Sequence, residues 1–297
     1  MSPRMIPVTV LLIAWATGSA AAPVSAGCSR SCLEGIMNAY LDRLPHHSTA
    51  GLPLAPQVNA RENAKAVASG GGLWKIANSI KSRDTFADPV TGQVVSFGAA
   101  DTDNGVGAFF VRLKVVNHTI TESETGFNGN DSAFSHPENL LHPDILYDAP
   151  VPKDRRRSRG ELLKVVESYL DGISHHDGSR VPFNYRCDRY ASGAKVTNSP
   201  DHPAEREGGT CAGSFQHLTG QPVVNRRFPV IDADRGIVVA MYIIPHGERT
   251  PPGATNAGEC FKIVDGQIRS IEEFSFGGGW PPDSGYESDP ASEGPPP

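Results

Sequence analysis

Asp188 and Tyr190 stand two residues apart, so on any extended stretch their side chains share one face. A carboxylate and a phenol placed together can remove a proton and stabilise the enolate left behind. That is what isomerisation or dehydration beside a carbonyl requires. The competing reading has Asp188 cap a turn and pair with Arg189 while Tyr190 packs as an edge aromatic. His175, in the run His175-His176-Asp177, titrates where a proton shuttle must; at a helix end it would instead complement the dipole. Arg226 and Arg227 precede a strand, and Arg226 is the candidate anchor for an acidic group or oxyanion, with a surface ion pair as the alternative. Trp74 and Tyr169 are candidate walls for a substrate, or core aromatics. Glu62 is a further carboxylate able to act as acid or base. No Gly-x-Ser-x-Gly elbow, phosphate loop, dinucleotide fingerprint or His-Glu-x-x-His helix occurs, so no cofactor and no metal are expected.

The elements that must position these residues occur twice. Tyr40-Leu41-Asp42 and His46-His47 return 129 residues later as Tyr169-Leu170-Asp171 and His175-His176. Leu33, Met37, Leu44 and Pro53 return as Leu162, Val166, Ile173 and Pro182. Further on, Lys114 to Ile120 with Glu124 matches Lys262 to Ile268 with Glu272, now 148 residues apart. A matched helix followed by a matched strand pair, in the same order, predicts two copies of one small fold, each of a size suited to a single core. The second copy carries about 19 more residues, the difference between offsets of 148 and 129.

Each copy opens on an apolar stripe at helical period: Leu33, Met37, Tyr40, Leu41 and Leu44, then Leu162, Val166, Tyr169, Leu170 and Ile173. Ser31-Cys32-Leu33-Glu34 and Ser158-Arg159-Gly160-Glu161 have capping-box spacing, which places the first helix at about Cys32 to Arg43. Strands are predicted at 93–97, 107–116 and 119–125 in the first copy. In the second they fall at 226–231, 236–244, 259–264 and 267–274. Asp101 to Gly105, Asn117-His118, Asp232 to Gly236 and Asp265-Gly266 are turns. The fold class is therefore α+β, two tandem units at 28–135 and 155–280. Residues 136–154 read as a linker and 281–297 as a Pro-, Gly- and Ser-rich disordered tail.

Residues 1–26 have the three parts of a secretory signal peptide: Arg4, an apolar run from Ile6 to Ala16, and a small-residue exit at Val24-Ser25-Ala26. No other segment is long and apolar enough to span a bilayer, so the expected product is secreted and has no membrane span. Export lets the five cysteines form disulfides. Cys187 with Cys211 is the preferred bridge, since both flank the enlarged region. Cys28 and Cys32 can pair only if Cys28 lies outside the helix. The spacings do not form a two-knuckle zinc pattern. Asn117 and Asn130 begin glycosylation triplets. A net charge of −6 without a broad basic face argues against a nucleic-acid partner.

The segment Lys262-Ile263-Val264-Asp265-Gly266-Gln267-Ile268-Arg269-Ser270-Ile271-Glu272 resembles the last hairpin of SnoaL-like proteins of the NTF2-like superfamily. Pro182-Phe183, Cys187-Asp188-Arg189 and Arg226 to Asp232, with Leu52 to Pro56, Glu62-Asn63 and Gly72-Leu73-Trp74, resemble a family of secreted fungal and bacterial proteins built as a tandem domain of unknown function. The likeness covers about residues 28 to 280. It implies two NTF2-like (cystatin-like) cones, each a curved antiparallel sheet closed by helices, with ligands in the cone. It also implies a small-molecule partner and either of two roles. One is a cofactor-independent isomerase, cyclase or dehydratase acting on a secondary metabolite by proton transfer. The other is a secreted, non-catalytic binding or interaction module. Within such a cone, Asp188, Tyr190 and His175 would be catalytic, and Arg226, Trp74 and Tyr169 would bind substrate. The 19 extra residues would form a lid pinned by Cys187–Cys211. Dimerisation stays open.

Overall fold

The computed structural model describes residues 27–129, 136–141, 145–206, 208–217 and 222–288. The signal segment 1–26, Asn130 and residues 289–297 lie outside the described residues. The first copy comprises α1 (Arg30–Arg43), β1 (Leu54–Glu62), β2 (Lys65–Ala66), β3 (Ala77–Asp88), β4 (Gln93–Thr102), β5 (Gly105–Val116) and β6 (Thr119–Asn128). A short α2 (Ile145–Asp148) follows. The second copy comprises α3 (Arg159–His175), β7 (Phe183–Ala191), β8 (Ala194–Lys195), β9 (Val224–Asp232), β10 (Ile237–His246), β11 (Gly253–Val264) and β12 (Gln267–Gly278). Each copy forms one six-stranded sheet, in the orders β2-β1-β6-β5-β4-β3 and β8-β7-β12-β11-β10-β9. The two sheets have the same topology, including the parallel pairings of β1 with β6 and β7 with β12.

Side chains alternate across each strand, so each sheet has two faces to bury. One face packs on its own helix. Leu33, Met37, Tyr40 and Leu41 of α1 meet Val94, Phe109, Val111 and Leu113; Leu162, Val166, Tyr169 and Leu170 of α3 meet Val238, Ala240, Phe261 and Ile271. Ser158 caps α3 with the expected reciprocal Glu161 bond, whereas α1 begins earlier than the sequence suggests. There Ser29, not Ser31, accepts from the Cys32 backbone N–H. The longest strand missed by the sequence pattern is β3. It is an edge strand, and its stretch 78–85, which carries Asn, Ser, Lys, Arg and Asp, is exposed or only partly buried throughout and so lacks a buried alternation.

The other faces cover each other. Phe86, Val95, Phe97, Ala108 and Phe110 of the first sheet interdigitate with Val230, Ile237, Val239, Met241, Phe274 and Phe276 of the second. The Phe110 ring sits edge-on to Phe274, with centroids 5.5 Å apart. Gly126 is required beneath this cluster, because a Cβ there would fall 2.4 Å from the Phe110 ring.

Reciprocal ion pairs tie the copies. Arg30 at the start of α1 binds Asp232 at the end of β9, and Arg159 at the start of α3 reaches Asp88 at the end of β3 at 2.6 Å. The chain therefore folds as a pseudo-twofold pair whose interface is nearly self-complementary.

Segments read as linker and tail take part in this packing. Tyr147 of α2 is buried and donates to Ser270 of the second copy. Residues 281–288 are ordered against the first copy, where the Tyr286 hydroxyl donates to the Ser123 and Asn59 carbonyls. The extra residues of the second copy are not a lid over open space. Cys187–Cys211 holds them, and Phe215 from their 3-10 turn is buried against Tyr169 with centroids 5.3 Å apart. Cys28, outside α1, pairs with Cys32, and Cys260 is free and buried. Among the described residues, no helix is long and apolar enough to cross a membrane.

One buried ion cluster bridges the sheets. Glu124 accepts a bidentate pair from Arg227 of the other copy at 2.7 and 2.9 Å, and a further bond from Arg112 at 2.8 Å. Burial alone would raise the Glu124 carboxyl, but Arg227 and Arg112 together hold it below its ordinary range. Glu124→Ala would leave two guanidiniums buried without that carboxylate. We expect it to destabilise the chain by about 3–5 kcal/mol, read as a lowered midpoint in chemical denaturation. An unchanged midpoint would show that the cluster carries no stability.

Candidate functional site

The pseudo-twofold axis gives the intersheet layer two related ends, and they differ in chemistry. In the β5–β6 ladder Arg112 pairs with Glu124; in the β11–β12 ladder Cys260 pairs with Glu272. In the β3–β4 ladder Asp84 stands opposite Phe97, whereas in β9–β10 Arg227 stands opposite Met241. At one end, two arginines clasp Glu124. At the other, those places fall to Asp84 and Cys260, while the glutamate remains as Glu272.

The short Cys260 and Asp84 side chains leave a cavity of about 240 Å³ between the sheets. Its apolar walls are Phe86 and Phe97 from the first copy, with Leu140 and Tyr147 from the segment joining the copies. Asp84, Glu272, Tyr190, Lys195 and Asn139 supply its polar groups. Glu272 accepts from the Gly193 backbone N–H at 3.2 Å, and Asn139 donates to the Gly193 carbonyl at 2.9 Å. Burial raises the Cys260 thiol well above its ordinary pKa, and the nearby Asp84 and Glu272 charges raise it further. It is therefore a small apolar wall rather than a nucleophile.

At the arginine end the same layer holds Tyr286, with the Arg112 and Arg227 guanidiniums 4.4 and 5.3 Å from its ring centroid. A polar cleft of about 320 Å³ lies beside them, walled by Asn59, Gln93, Lys114, Glu122 and Glu287 among others. Arg112 also bonds Gln93 and Glu122, and Arg227 bonds Asn225, so these cations are committed to protein acceptors.

The expected site residues do not converge. Asp188 and Tyr190 share one face of β7, as their spacing requires, but that face is turned away from α3. Cys187 packs in the helix-side core and Arg189 enters the buried cluster there. Tyr190 lines the intersheet cavity. Asp188 sits behind it, 3.1 Å from Lys195 Nζ and 3.0 Å from Asn198 Nδ2. His175 is exposed at the end of α3, its Nδ1 2.7 Å from the Asp171 carbonyl oxygen. Arg226 pairs with Asp171 at 2.7 Å. Trp74 is buried in the first copy, donating to Tyr40, and Glu62 accepts from the Leu73 backbone N–H; burial raises its carboxyl. Asn117 is exposed at a hairpin tip.

Sequence reasoning missed Asp84, Glu272, Cys260 and Tyr147 as a group. The available signal was the departure between copies, Cys260 standing where the matched hairpin has Arg112.

Tyr169 lies in a second ionisable cluster, on the helix side of the second sheet. Its hydroxyl donates to Glu259 at 2.9 Å, and Arg189 bridges Glu273 and Glu259. Glu259 is wholly buried, and burial, then the Glu273 charge, against the pull of Arg189, push its carboxyl up to about 8. The first copy has Val111, Ala60 and Thr125 at the places of Glu259, Arg189 and Glu273. Lys262 is also buried, donating to the Ala149 and Arg235 carbonyls, and burial brings it down to about 8.

Cys28, Cys32 and His118 bring potential ligand atoms within 4.8 Å of one another, but the two sulfurs are joined in a disulfide and offer no thiolate.

These buried groups predict opposite pH dependences. Glu259 binds its proton more tightly folded than unfolded, so its contribution to stability is full below pH 4.5 and lost as pH rises through about 8. Lys262 binds its proton less tightly folded, so stability recovers as pH rises from about 8 toward 10.5. Thermal melts of Glu259→Gln should lack the fall between pH 5 and 8, and those of Lys262→Met the rise above 8. Variants with the wild-type pH slope would remove these groups from the account.

No curated protein matches the sequence. A family described as a domain of unknown function, DUF8021, matches it twice, over residues 26–126 and 155–275, the spans that form the two sheets. The chain belongs to that family, with two copies of its domain packed sheet to sheet.

Proposed function

We propose that this chain binds a small, partly apolar organic molecule in the cavity between its sheets. The supporting observation is the cavity itself: about 240 Å³, aromatic and aliphatic walls, and a few convergent polar groups, the usual make-up of a small-molecule site. The helix-side concavities, by contrast, are filled with side chains, Tyr40 with Trp74 in one and Tyr169 with Phe215 in the other. In this reading each copy is an NTF2-like unit of SnoaL-like type. A helix packed on a sheet bent by register shifts in β1, β3 and β9–β10 supports it, as does the parallel first strand. The chain enters the secretory pathway with residues 1–26 as signal peptide and Asn117 as a glycosylation site. The disulfides accord with this, and an exported chain beginning at Met1 would overturn it.

Binding is tested with the neutral fluorescent dye prodan. The dye should brighten and shift to the blue on addition of the protein, and Leu140→Trp, which places an indole in the cavity wall, should weaken that affinity at least about tenfold, the value of 1.4 kcal/mol. Equal binding by both proteins, or none by the wild type, would refute the cavity reading.

A second reading, proton-transfer catalysis without a cofactor, is favoured by one observation: the Tyr190 phenol shares the cavity with the Asp84 and Glu272 carboxylates. Isomerisation, cyclisation or dehydration beside a carbonyl would use one carboxylate as base and the phenol as oxyanion donor. Asp188 would then position Lys195 rather than touch substrate. Metabolite profiles of a deletion strain identify the compound to assay. On it, Glu272→Gln or Asp84→Asn should lower turnover by about 10²–10⁴-fold, and Asp188→Asn far less. Wild-type turnover in both carboxylate variants would leave the binding module as the surviving reading.

A further inference from the structure

We propose that the Cys28–Cys32 bridge is a redox-active site that exchanges disulfides with a low-molecular-weight thiol of the glutathione class. The site shares no residue with the intersheet cavity. Two comparisons carry it, copy with copy and bridge with bridge.

Both long helices start alike. Ser29 caps α1 and Ser158 caps α3, and each serine hydroxyl oxygen accepts from the backbone N–H three residues on at 3.3 Å, that of Cys32 or of Glu161. In the second copy this third position holds a carboxylate. It accepts from the Ser158 backbone N–H at 2.8 Å and from the Ser158 hydroxyl at 2.7 Å. The first turn of a helix favours an anion there. At offset 129 the places of Cys28 and Cys32 fall to Arg157 and Glu161, and at offset 148 that of His118 falls to Gly266. The same helix start thus forms in the second copy with no bridge, so the fold does not require one. In the first copy the place of the anion belongs to a sulfur. His118, exposed at the tip between β5 and β6, sets its Nδ1 3.2 Å from Cys32 Sγ.

The two bridges differ in span and exposure. Cys187 and Cys211 are both buried and lie 24 residues apart. Cys28 is buried, but Cys32 is partly exposed and only 4 residues away. Closing the shorter loop removes less chain entropy, which makes that bridge about tenfold easier to open on span alone. Exposed bridges are also the labile ones. The exchange follows from this geometry. An incoming thiolate attacks the accessible Cys32 Sγ, the S–S bond breaks, and Cys28 leaves with the electron pair and takes a proton from solvent. A second thiolate attacks the small molecule's sulfur in the mixed disulfide. Cys32 then leaves as a thiolate, into the place where α3 holds the Glu161 carboxylate, with His118 beside it to donate a hydrogen bond. The protein disulfide is reduced and two small thiols are oxidised to one disulfide. In reverse, the Cys32 thiolate attacks an external disulfide and Cys28 closes the bridge.

The full chain is equilibrated with mixtures of reduced and oxidised glutathione, quenched in acid, alkylated with N-ethylmaleimide and mapped by peptide mass spectrometry. Cys28–Cys32 should open with an equilibrium constant at least about a hundredfold larger than Cys187–Cys211. About tenfold of this comes from span and about tenfold from one charge-assisted hydrogen bond to the thiolate. In Cys28→Ser, which cannot close the bridge, a mixed disulfide with glutathione should accumulate on Cys32. In Cys32→Ser the buried Cys28 should take up far less. His118→Asn suits the same left-handed turn. It should slow the alkylation of reduced Cys32 by iodoacetamide at neutral pH several-fold without moving the thermal melt of the oxidised chain; an unaltered rate would overturn the part given to His118. A ratio of about ten or less, which span alone supplies, would overturn the proposal, as would a mixed disulfide seated on Cys28 rather than Cys32. Neither result bears on the cavity, which is decided by prodan.

Discussion

Each sheet in this chain has two apolar faces and, among the described residues, one long helix to cover them. That constraint governs the rest of the structure. A β-strand whose residues are buried on both sides must find a layer for each face. The strands β4, β5, β10 and β11 are buried on almost every residue, on the helix side and on the side away from it. A single copy would present Phe86, Val95, Phe97 and Phe110 to water as a contiguous patch. The second copy presents Val230, Val239, Met241, Phe274 and Phe276 in complement. Duplication within one chain makes the partner always available, at an effective concentration set by the short join between them.

The self-complementary packing explains why the charged residues at the edges recur in pairs. Arg30 and Arg159, related by the helix offset, each reach across to the aspartate that ends the third strand of the other copy. The same symmetry places Glu124 and Glu272 in equivalent ladder positions facing the shared layer. A buried carboxylate requires compensation. At Glu124 the protein supplies it in full, through Arg112 and Arg227, with Tyr286 closing over them. The last described segment is thus part of the structure that its Pro- and Gly-rich composition concealed.

Much of the fold was legible in the residues because repetition is a stronger signal than propensity. The matched stripes of α1 and α3, the paired His-His ends and the twin hairpins fixed the order of elements before any geometry. β3 escaped because an edge strand with a polar first half has no alternation to read. The site was far less legible. Spacing correctly put Asp188 and Tyr190 on one face, but parity does not say which face a strand turns to its helix. Cys187 and Arg189 point that way instead, and a slip of one residue exchanges core and cavity. Trp74 and Tyr169, large aromatics beside the helices, proved to be the filling of the two concavities. No local pattern could unite Asp84 with Glu272, because only the packing of one copy on the other brings them together. The cysteine left over from the disulfides, Cys260, marked the place, yet its meaning lay in the arginine it replaces.

That replacement shows what a tandem arrangement allows and a symmetric dimer does not. In a homodimer of one copy, every change at the intersheet layer would occur at both ends. Removing the arginines to open a cavity would then take the clasp seen at Glu124 from both ends at once, at a cost of several kcal/mol for each charge left uncompensated. In the tandem chain the two ends are different residues. One end keeps Arg112, Arg227 and Glu124 and holds the copies together. The other loses its cations to Cys260 and Asp84 and becomes hollow, while the reciprocal pairs at Asp88 and Asp232 maintain the alignment. The division is sharpest at those two ladder positions, where an arginine at one end corresponds to a cysteine or an aspartate at the other. The two ends of one layer thus divide their tasks: one is packed solid around an arginine–glutamate cluster, and the other holds the cavity.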